Sequence, residues 1–189
     1  MLKDLVTMNR SYRRFYQDFP VRMDLLRELV NLARLSACGG NWQPLKYILS
    51  CDPQKNATIF QHLSWASHYK DWKGPDEGER PSAHIIILGD TEIRQKFLCD
   101  HGIAAQSIML GAVEKELGGC MHISINREGL RKSLEILPRY EILLALSLGK
   151  PKEKVVIETV GDDGDIKYWR DSEMVHHLPK RSLEEIILD

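Results

Sequence analysis

The sequence predicts a layered protein of the α/β or α+β class with a mixed central sheet, and three observations carry that expectation. Helical and strand-like segments alternate along the chain. Residues 83–89, AHIIILG, are apolar without interruption, the pattern of a strand buried on both faces. The tail segment VVIETVGDDGDIKYWR reads as two strands joined by a Gly-Asp-Asp-Gly turn, and this hairpin is what makes the sheet mixed.

Each element has its own local reason. Between about Val21 and Ala37, Leu25, Leu26, Leu29, Val30, Leu32 and Ala33 recur at helical spacing among Arg22, Arg27, Glu28 and Arg34, so an amphipathic helix is expected. Gly39-Gly40 is its expected stop. Lys46 to Cys51 reads as a strand and Asn56 to Leu63 as a helix. Residues 65–81, WASHYKDWKGPDEGERP, are rich in charge, Gly and Pro and lack a sustained period, which marks a surface excursion. Loops of that length are often functional covers. Within it, Trp65, Tyr69 and Trp72 either pack the excursion onto the body or wall a substrate pocket.

From about Glu92 to Leu117 the chain is helical again, and HGIAAQSIMLGAVEKEL is apolar or small on nearly all sides. Such a helix has to be wrapped, in the centre of the domain or against a second subunit. Gly118-Gly119 is expected to end it. A strand (Cys120 to Ile125), a short helix (Glu128 to Leu137), another strand (Ile142 to Leu148) and a last helical piece (Ser182 to Leu188) follow. With 189 residues and no internal repeat, one domain over 1–189 is expected, with the excursion at about 65–81.

Composition narrows the function. The 26 basic residues are balanced by 27 acidic ones, so there is no general positive field to hold nucleic acid or an anionic membrane. Any anion must be held locally. Cys38, Cys51, Cys99 and Cys120 lie far apart without a C-x-x-C pair, which argues for reduced thiols rather than a zinc ribbon or redox dithiol. His176-His177 and Cys99-x-His101 lack further ligands at useful spacing, so no metal is expected. MLKDLVTMNRSYRR offers no apolar core of a signal peptide, no run is long enough to span a bilayer, and a cytoplasmic protein is expected.

Four stretches join element ends to small or polar residues able to approach a ligand. In NRSYRRF, Arg10, Ser11 and Arg13 concentrate planar cationic donors and a hydroxyl, which suits an oxyanion, although a solvated helix end would look similar. In CGGNWQP, Gly39 and Gly40 let the backbone come close while Asn41 and Gln43 supply donors and acceptors. GGCMH is a second glycine-rich turn, in which His122 alternates with apolar neighbours as a core histidine would. In PKRS, Lys180 and Arg181 precede a helix start, where backbone N–H groups also favour an anion. Both glycine pairs can equally be helix stops.

The order NRSYRRF, SACGGNWQP, a D-x-G-x-A-x-Q-x-x-M-L-x-A helix from Asp100 to Ala112, LGGCM, SLGKP and PKRSLEEI resembles the FMN-dependent nitroreductase family over essentially the whole chain. The resemblance implies an α+β fold with a central, mainly antiparallel sheet flanked by helices, in a homodimer with FMN sites at the interface. It implies Arg10 and Ser11 at the phosphate and Arg13 at the flavin pyrimidine edge. Cys38, Gly39, Gly40, Asn41 and Gln43 would reach the flavin from the partner subunit. Cys120, Met121, His122 and Ile123 would face the ring system, and Lys180 or Arg181 would close on the phosphate.

The implied activity is oxidoreduction: NADH or NADPH reduces bound FMN, which then reduces a small electron acceptor such as a nitroaromatic or quinone. No general acid or base is implied. The alternative is a flavin-binding or sensing protein of the same fold with little turnover. The absence of a G-x-G-x-x-G turn fits a protein that meets its nicotinamide donor transiently. Three positions depart from the family pattern: Asn9 where many members carry a further arginine, Leu45 where an aromatic residue often follows Q-P, and Cys38 at a usual serine.

Overall fold

The computed structural model describes residues 1–66 and 72–188. In chain order the elements are α1 (Leu2–Met8), β1 (Phe15–Tyr16), α2 (Met23–Leu35), a 3-10 turn (Gly39–Asn41), β2 (Leu45–Ser50), α3 (Pro53–Phe60), β3 (Ala83–Asp90) and α4 (Asp100–Glu114). Then come β4 (Gly118–His122), α5 (Arg127–Ser133), β5 (Tyr140–Pro151), β6 (Val155–Thr159), β7 (Trp169–Arg170), β8 (His176–Lys180) and α6 (Leu183–Ile186).

The main sheet runs β2-β3-β5, and both β4 and β1 pair with the far side of β5. Every pairing in it is antiparallel. All residues of β3 are buried, as its unbroken apolar run requires. Its alternate side chains feed two cores. Ala83, Ile85 and Ile87 join Leu144, Leu146 and Leu148 beneath α2 and α4. Ile86 and Leu88 join Ala145 and Ile142 beneath α3 and α5, through Ile59 and Leu130. A bulge between Ile87 and Leu88 skips Leu143 and sets Ile142 opposite Leu88, so β5 breaks its own alternation there and Ile142 joins the α3 face. Each isoleucine of the triplet is fully buried, contributing about 1.5–3 kcal/mol. This is the α+β architecture expected from the sequence.

α2 presents Leu26, Leu29 and Ala33 to α4, the amphipathic stripe read from its periodicity. It ends at Leu35, before the glycines, with Ser36 in an extended cap and its hydroxyl on the Leu32 carbonyl at 2.8 Å. Gly39-Gly40 is therefore not the helix stop. Gly118-Gly119 is not one either: both glycines lie inside β4. A Cβ on Gly119 would sit 2.3 Å from the Ser147 carbonyl oxygen, so the pair serves close strand packing. α4 begins at Asp100, later than its apolar pattern suggests.

The expected Gly-Asp-Asp-Gly hairpin does not form. A turn does close there, with the Gly164 N–H on the Gly161 carbonyl at 2.9 Å. The two flanking strands nevertheless both pair with β8, β6 in parallel and β7 in antiparallel fashion. His177 explains the insertion. Its ring stacks on Trp169 at 4.0 Å while its nitrogens meet Glu158 and Asp171, so one side chain of β8 binds both neighbouring strands. The mixed pairing thus belongs to this small separate sheet.

Part of the expected excursion packs onto the body: Trp65 is buried and meets Trp72 edge-on at 6.4 Å. The Glu79 carbonyl accepts the Phe15 N–H at 3.0 Å, and Gln17 Oε1 accepts the Gly78 N–H at 2.7 Å. These bonds zip the 77–80 segment along β1. Tyr69 lies outside the described residues.

Candidate functional site

After α1 the chain is extended, and this geometry carries Arg10, Ser11 and Arg13 along the free side of β4. Ser11 forms a parallel bridge with Gly119, and the Tyr12 N–H donates to the Gly119 carbonyl at 2.9 Å. The first and third of the stretches read from the sequence are therefore stitched together by backbone. Arg10 donates to the Val6 carbonyl, and Arg13 Nη1 donates to the Ser11 carbonyl at 3.2 Å. The Nε atoms of both arginines are buried without a partner. Burial also lowers the affinity of Arg10 for its proton.

Arg13 is itself buried, and the small sheet lies against it. Its backbone N–H donates to Glu153, and its guanidinium sits 4.9 Å from the Tyr168 ring centroid. Glu153 in turn forms a 2.6 Å ion pair with Arg170, in a geometry short of a good hydrogen bond. Along β4, Cys120 and His122 point inwards while Met121 and Ile123 are exposed, the period-two alternation of a strand. Burial pushes the Cys120 thiol up to about 11. His122 is a core histidine in its side chain: Nδ1 meets the Ser64 carbonyl at 3.2 Å and Nε2 the Ser147 hydroxyl at 2.9 Å.

The second stretch forms a separate cluster. Gly40, Asn41 and Gln43 have φ of 59°, 54° and 50°, so the chain turns back on itself in left-handed geometry. Asp100 holds this turn from the start of α4, accepting the Gly39 N–H at 2.9 Å and the Cys38 thiol at 3.2 Å. Arg94 Nη1 donates to the Gly39 carbonyl at 3.1 Å. Desolvation raises the Cys38 pKa, with Asp100 adding to the rise, so the sulfur is a thiol. Beside it lies a cavity of about 180 Å³ lined by Cys38, Asn41, Gln43, Leu45, Tyr47 and Asp100. Burial pushes the Tyr47 hydroxyl up to about 12.

The fourth stretch lies at the end of the small sheet. Lys180 ends β8 opposite Thr159, and Arg181 pairs with Glu185. Among the described residues, no hydrogen bond or ion pair joins either cation to Arg10, Ser11 or Arg13. Asn9 donates to Gln106 of α4 at 3.3 Å. Sequence reasoning named Asp100 only as part of a helix pattern and missed Glu153 and Tyr168. An acidic residue at the first turn of a helix was the available signal for Asp100; for the other two there was none.

The antiparallel sheet with helices on both faces, and an arginine–serine segment bound to an edge strand, define an α+β fold that gathers cationic side chains beside that strand. The nitroreductase family model matches residues 6–150, and the chain belongs to the nitroreductase family. Membership in it implies oxidoreductase chemistry. No curated protein matches the chain. Among solved structures, a nitroreductase family protein from Streptococcus pneumoniae TIGR4 is similar over 100% of both chains, at 16% identity and a TM-score of 0.73. One from Clostridium novyi NT is 19% identical over 100% of this chain and 99% of that one, at 0.68. An FMN-dependent nitroreductase from Clostridium difficile R20291 is 21% identical over 79% of this chain and 87% of that one, at 0.66. At such identities the likeness is one of fold. Among the described residues no helix is long and apolar enough to cross a membrane.

Proposed function

We propose that the protein is an FMN-dependent oxidoreductase in which NADH or NADPH is the electron donor and a small nitroaromatic or quinone the acceptor. The observation that carries this reading is the backbone stitching of Arg10–Tyr12 to Gly119, which sets two arginines and a serine beside the edge of β4. The residues fit the two polar ends of a flavin: Arg10 buries an Nε–H with no acceptor next to the exposed Ser11, which suits the phosphate, and Arg13 buries another, which suits the acceptor atoms of the pyrimidine edge. A buried donor without a partner is costly, and an anion would satisfy it. The FMN-dependent relative supports the choice of cofactor.

When bound, FMN supplies the hydride-accepting and electron-donating chemistry. Arg10 and Ser11 hold the phosphate, with Lys180 and Arg181 as the cations of the tail. Arg13 would put a fixed positive charge at the pyrimidine edge, which would favour electron uptake. Cys120, Met121, His122 and Ile123 would offer the backbone of β4 and of the residue beyond it to the ring system, and the Met121 and Ile123 side chains are exposed there. Cys38, Gly39, Gly40, Asn41 and Gln43 act on the site of the partner subunit in a two-fold dimer. Exposed Leu35, Trp42 and Leu98 beside that turn support a covered face there.

The Tyr168 ring lies over the Arg13 guanidinium, and a side chain packed against the proposed pyrimidine-edge cation would leave less room for an acceptor, which favours a second reading, a flavin-holding or sensing protein with little turnover. One experiment separates them. Purified protein should show a flavin absorbance spectrum, bleach under argon on addition of NADH or NADPH, and recover its colour with a nitroaromatic or quinone. Yellow protein that neither nucleotide bleaches supports the second reading. Colourless protein that refuses added FMN removes both.

A further inference from the structure

The side chain that holds the backbone of Arg13 comes from just beyond the end of β5. β1 and β5 pair through Phe15 and Pro151, and the Lys152 N–H extends the ladder by donating to the Arg14 carbonyl at 2.9 Å. One residue further on, a side chain takes over from the backbone. Glu153 Oε1 accepts the N–H of Arg13 and, at 3.3 Å, that of Arg14. The other oxygen faces Arg170 Nη1 of β7 at 2.6 Å, and the Glu153 side chain is 3% exposed.

The small sheet also reaches the Arg13 side chain. Tyr168, two residues before Arg170, places its ring centroid 4.9 Å from the guanidinium, and His176 of β8 packs against that ring at 5.1 Å. From the other direction, Arg13 Nη1 donates to the Ser11 carbonyl at 3.2 Å. Arg13 is therefore buried with its backbone pinned by a carboxylate and one face of its guanidinium covered by an aromatic ring. Glu153 is held in turn by Arg170, so the position of Arg13 is tied to a strand more than 150 residues later in the chain.

Arg13 and Glu153 also act with opposite sign on shared neighbours. Burial raises the Cys120 thiol to about 11, with Arg13 pulling it down and Glu153 pushing it up. His176 is lowered to about 4 by burial and then by Arg170 and Arg13, with Glu153 working against them. Cys120 stands on β4 and His176 on β8, so the carboxylate offsets the arginine at both strands. Buried charges are little screened by salt, which preserves the effect in solution. A residue that merely tied the tail down would not need this charge, because a glutamine keeps an oxygen for the same N–H groups.

We propose that Glu153 is a positioning residue of the flavin site, fixing the backbone that carries Arg13 and offsetting part of the positive charge that Arg13 brings to the bound flavin. Arg170 holds the carboxylate in place for both tasks. This inference rests on the flavin reading of Arg13 and adds a regulator to it. Reduced flavin is an anion at its pyrimidine edge, and a carboxylate behind the neighbouring cation disfavours that anion. The consequence is a reduction potential below the one Arg13 would set by itself.

The test uses the purified full chain loaded with FMN, its potential measured against a reference dye. Glu153→Gln keeps an acceptor and drops the charge. It should favour two-electron-reduced over oxidised FMN by about tenfold, a rise of about 30 mV. Glu153→Gln combined with Arg170→Gln leaves no unpaired buried cation and should move the potential in the same direction, which covers the case in which the single variant does not fold. Glu153→Ala removes the acceptor too, so amide exchange at Arg13 and Arg14, read with or without flavin, should quicken about tenfold, and glutamine should restore the protection. A flavin-loaded chain whose potential ignores the glutamine variants, or Arg13 and Arg14 amides indifferent to Glu153→Ala, would overturn this inference alone. A wild-type chain that binds no FMN would remove the flavin reading and this inference with it.

Discussion

Asp100, buried at the first turn of α4, accepts the backbone N–H of Gly39 at 2.9 Å. The same carboxylate holds the Cys38 thiol, so one side chain on a rigid helix sets the position of a loop whose next residues have left-handed backbone. Asp100→Ala leaves the Gly39 N–H without its acceptor and should cost about 1–3 kcal/mol in urea unfolding. Asp100→Asn retains an acceptor and should cost less. If the turn serves the flavin, FMN retention should fall in parallel, and a spectrophotometric titration of both variants measures that.

Arg10→Ala tests the phosphate assignment. Removing a charged donor should weaken FMN binding by about 1.5–3 kcal/mol, roughly tenfold to a hundredfold, with an unchanged far-ultraviolet circular dichroism spectrum. Full FMN affinity in this variant would move the phosphate elsewhere.

Gly119→Ala should be among the most damaging single-methyl additions. The new Cβ would lie 2.3 Å from the Ser147 carbonyl oxygen, and neither strand can yield without breaking the β4–β5 ladder. Overpacking of this kind costs about 1–3 kcal/mol. Because the Gly119 carbonyl also anchors Tyr12, the Arg10–Arg13 segment should loosen as well. Thermal unfolding and amide exchange at Tyr12 read the two effects.

The histidines should give stability a pH dependence of two opposite signs. Burial lowers His84 to about 3 and both His122 and His176 to about 4. Unfolded histidines titrate near ~6.5. Below that pH the unfolded chain binds protons that the folded chain refuses, so stability falls as pH drops from about 6.5 towards 4. His177 behaves oppositely: hydrogen bonds to Asp171 and then Glu158 raise its pKa. Its contribution is complete below the unfolded value and disappears as pH rises through the folded one. Urea midpoints across pH 4–8 should therefore rise with pH overall. His176 and His177 are adjacent on β8 and act in opposite directions there, so His177→Phe, which removes the opposing contribution, should make the rise of stability with pH steeper.

Local residues decided much of this protein before any contact between distant segments. The leucine spacing of α2 and the apolar run of β3 depend only on neighbouring side chains, and both elements stand where the sequence placed them. The types of residue at Arg10, Ser11 and Arg13 raised the expectation of an anion receptor, because arginine and serine chemistry is written in the side chain itself. The glycine pairs were misleading, since glycine relieves crowding between strands as readily as it ends a helix.

Pairings across large sequence separations carry no local signature, and the tertiary structure alone decided them. Strand register joined Ser50, His84, Ser147 and Cys120 into one row. Insertion of β8 turned two predicted partners into strangers, because His177 binds both through its stacking and its two nitrogens. The sequence determined which chemical groups the chain carries and which stretches coil or extend. Folding determined which groups meet, because the hydrogen bonds and buried contacts that select a register exist only once distant strands lie side by side.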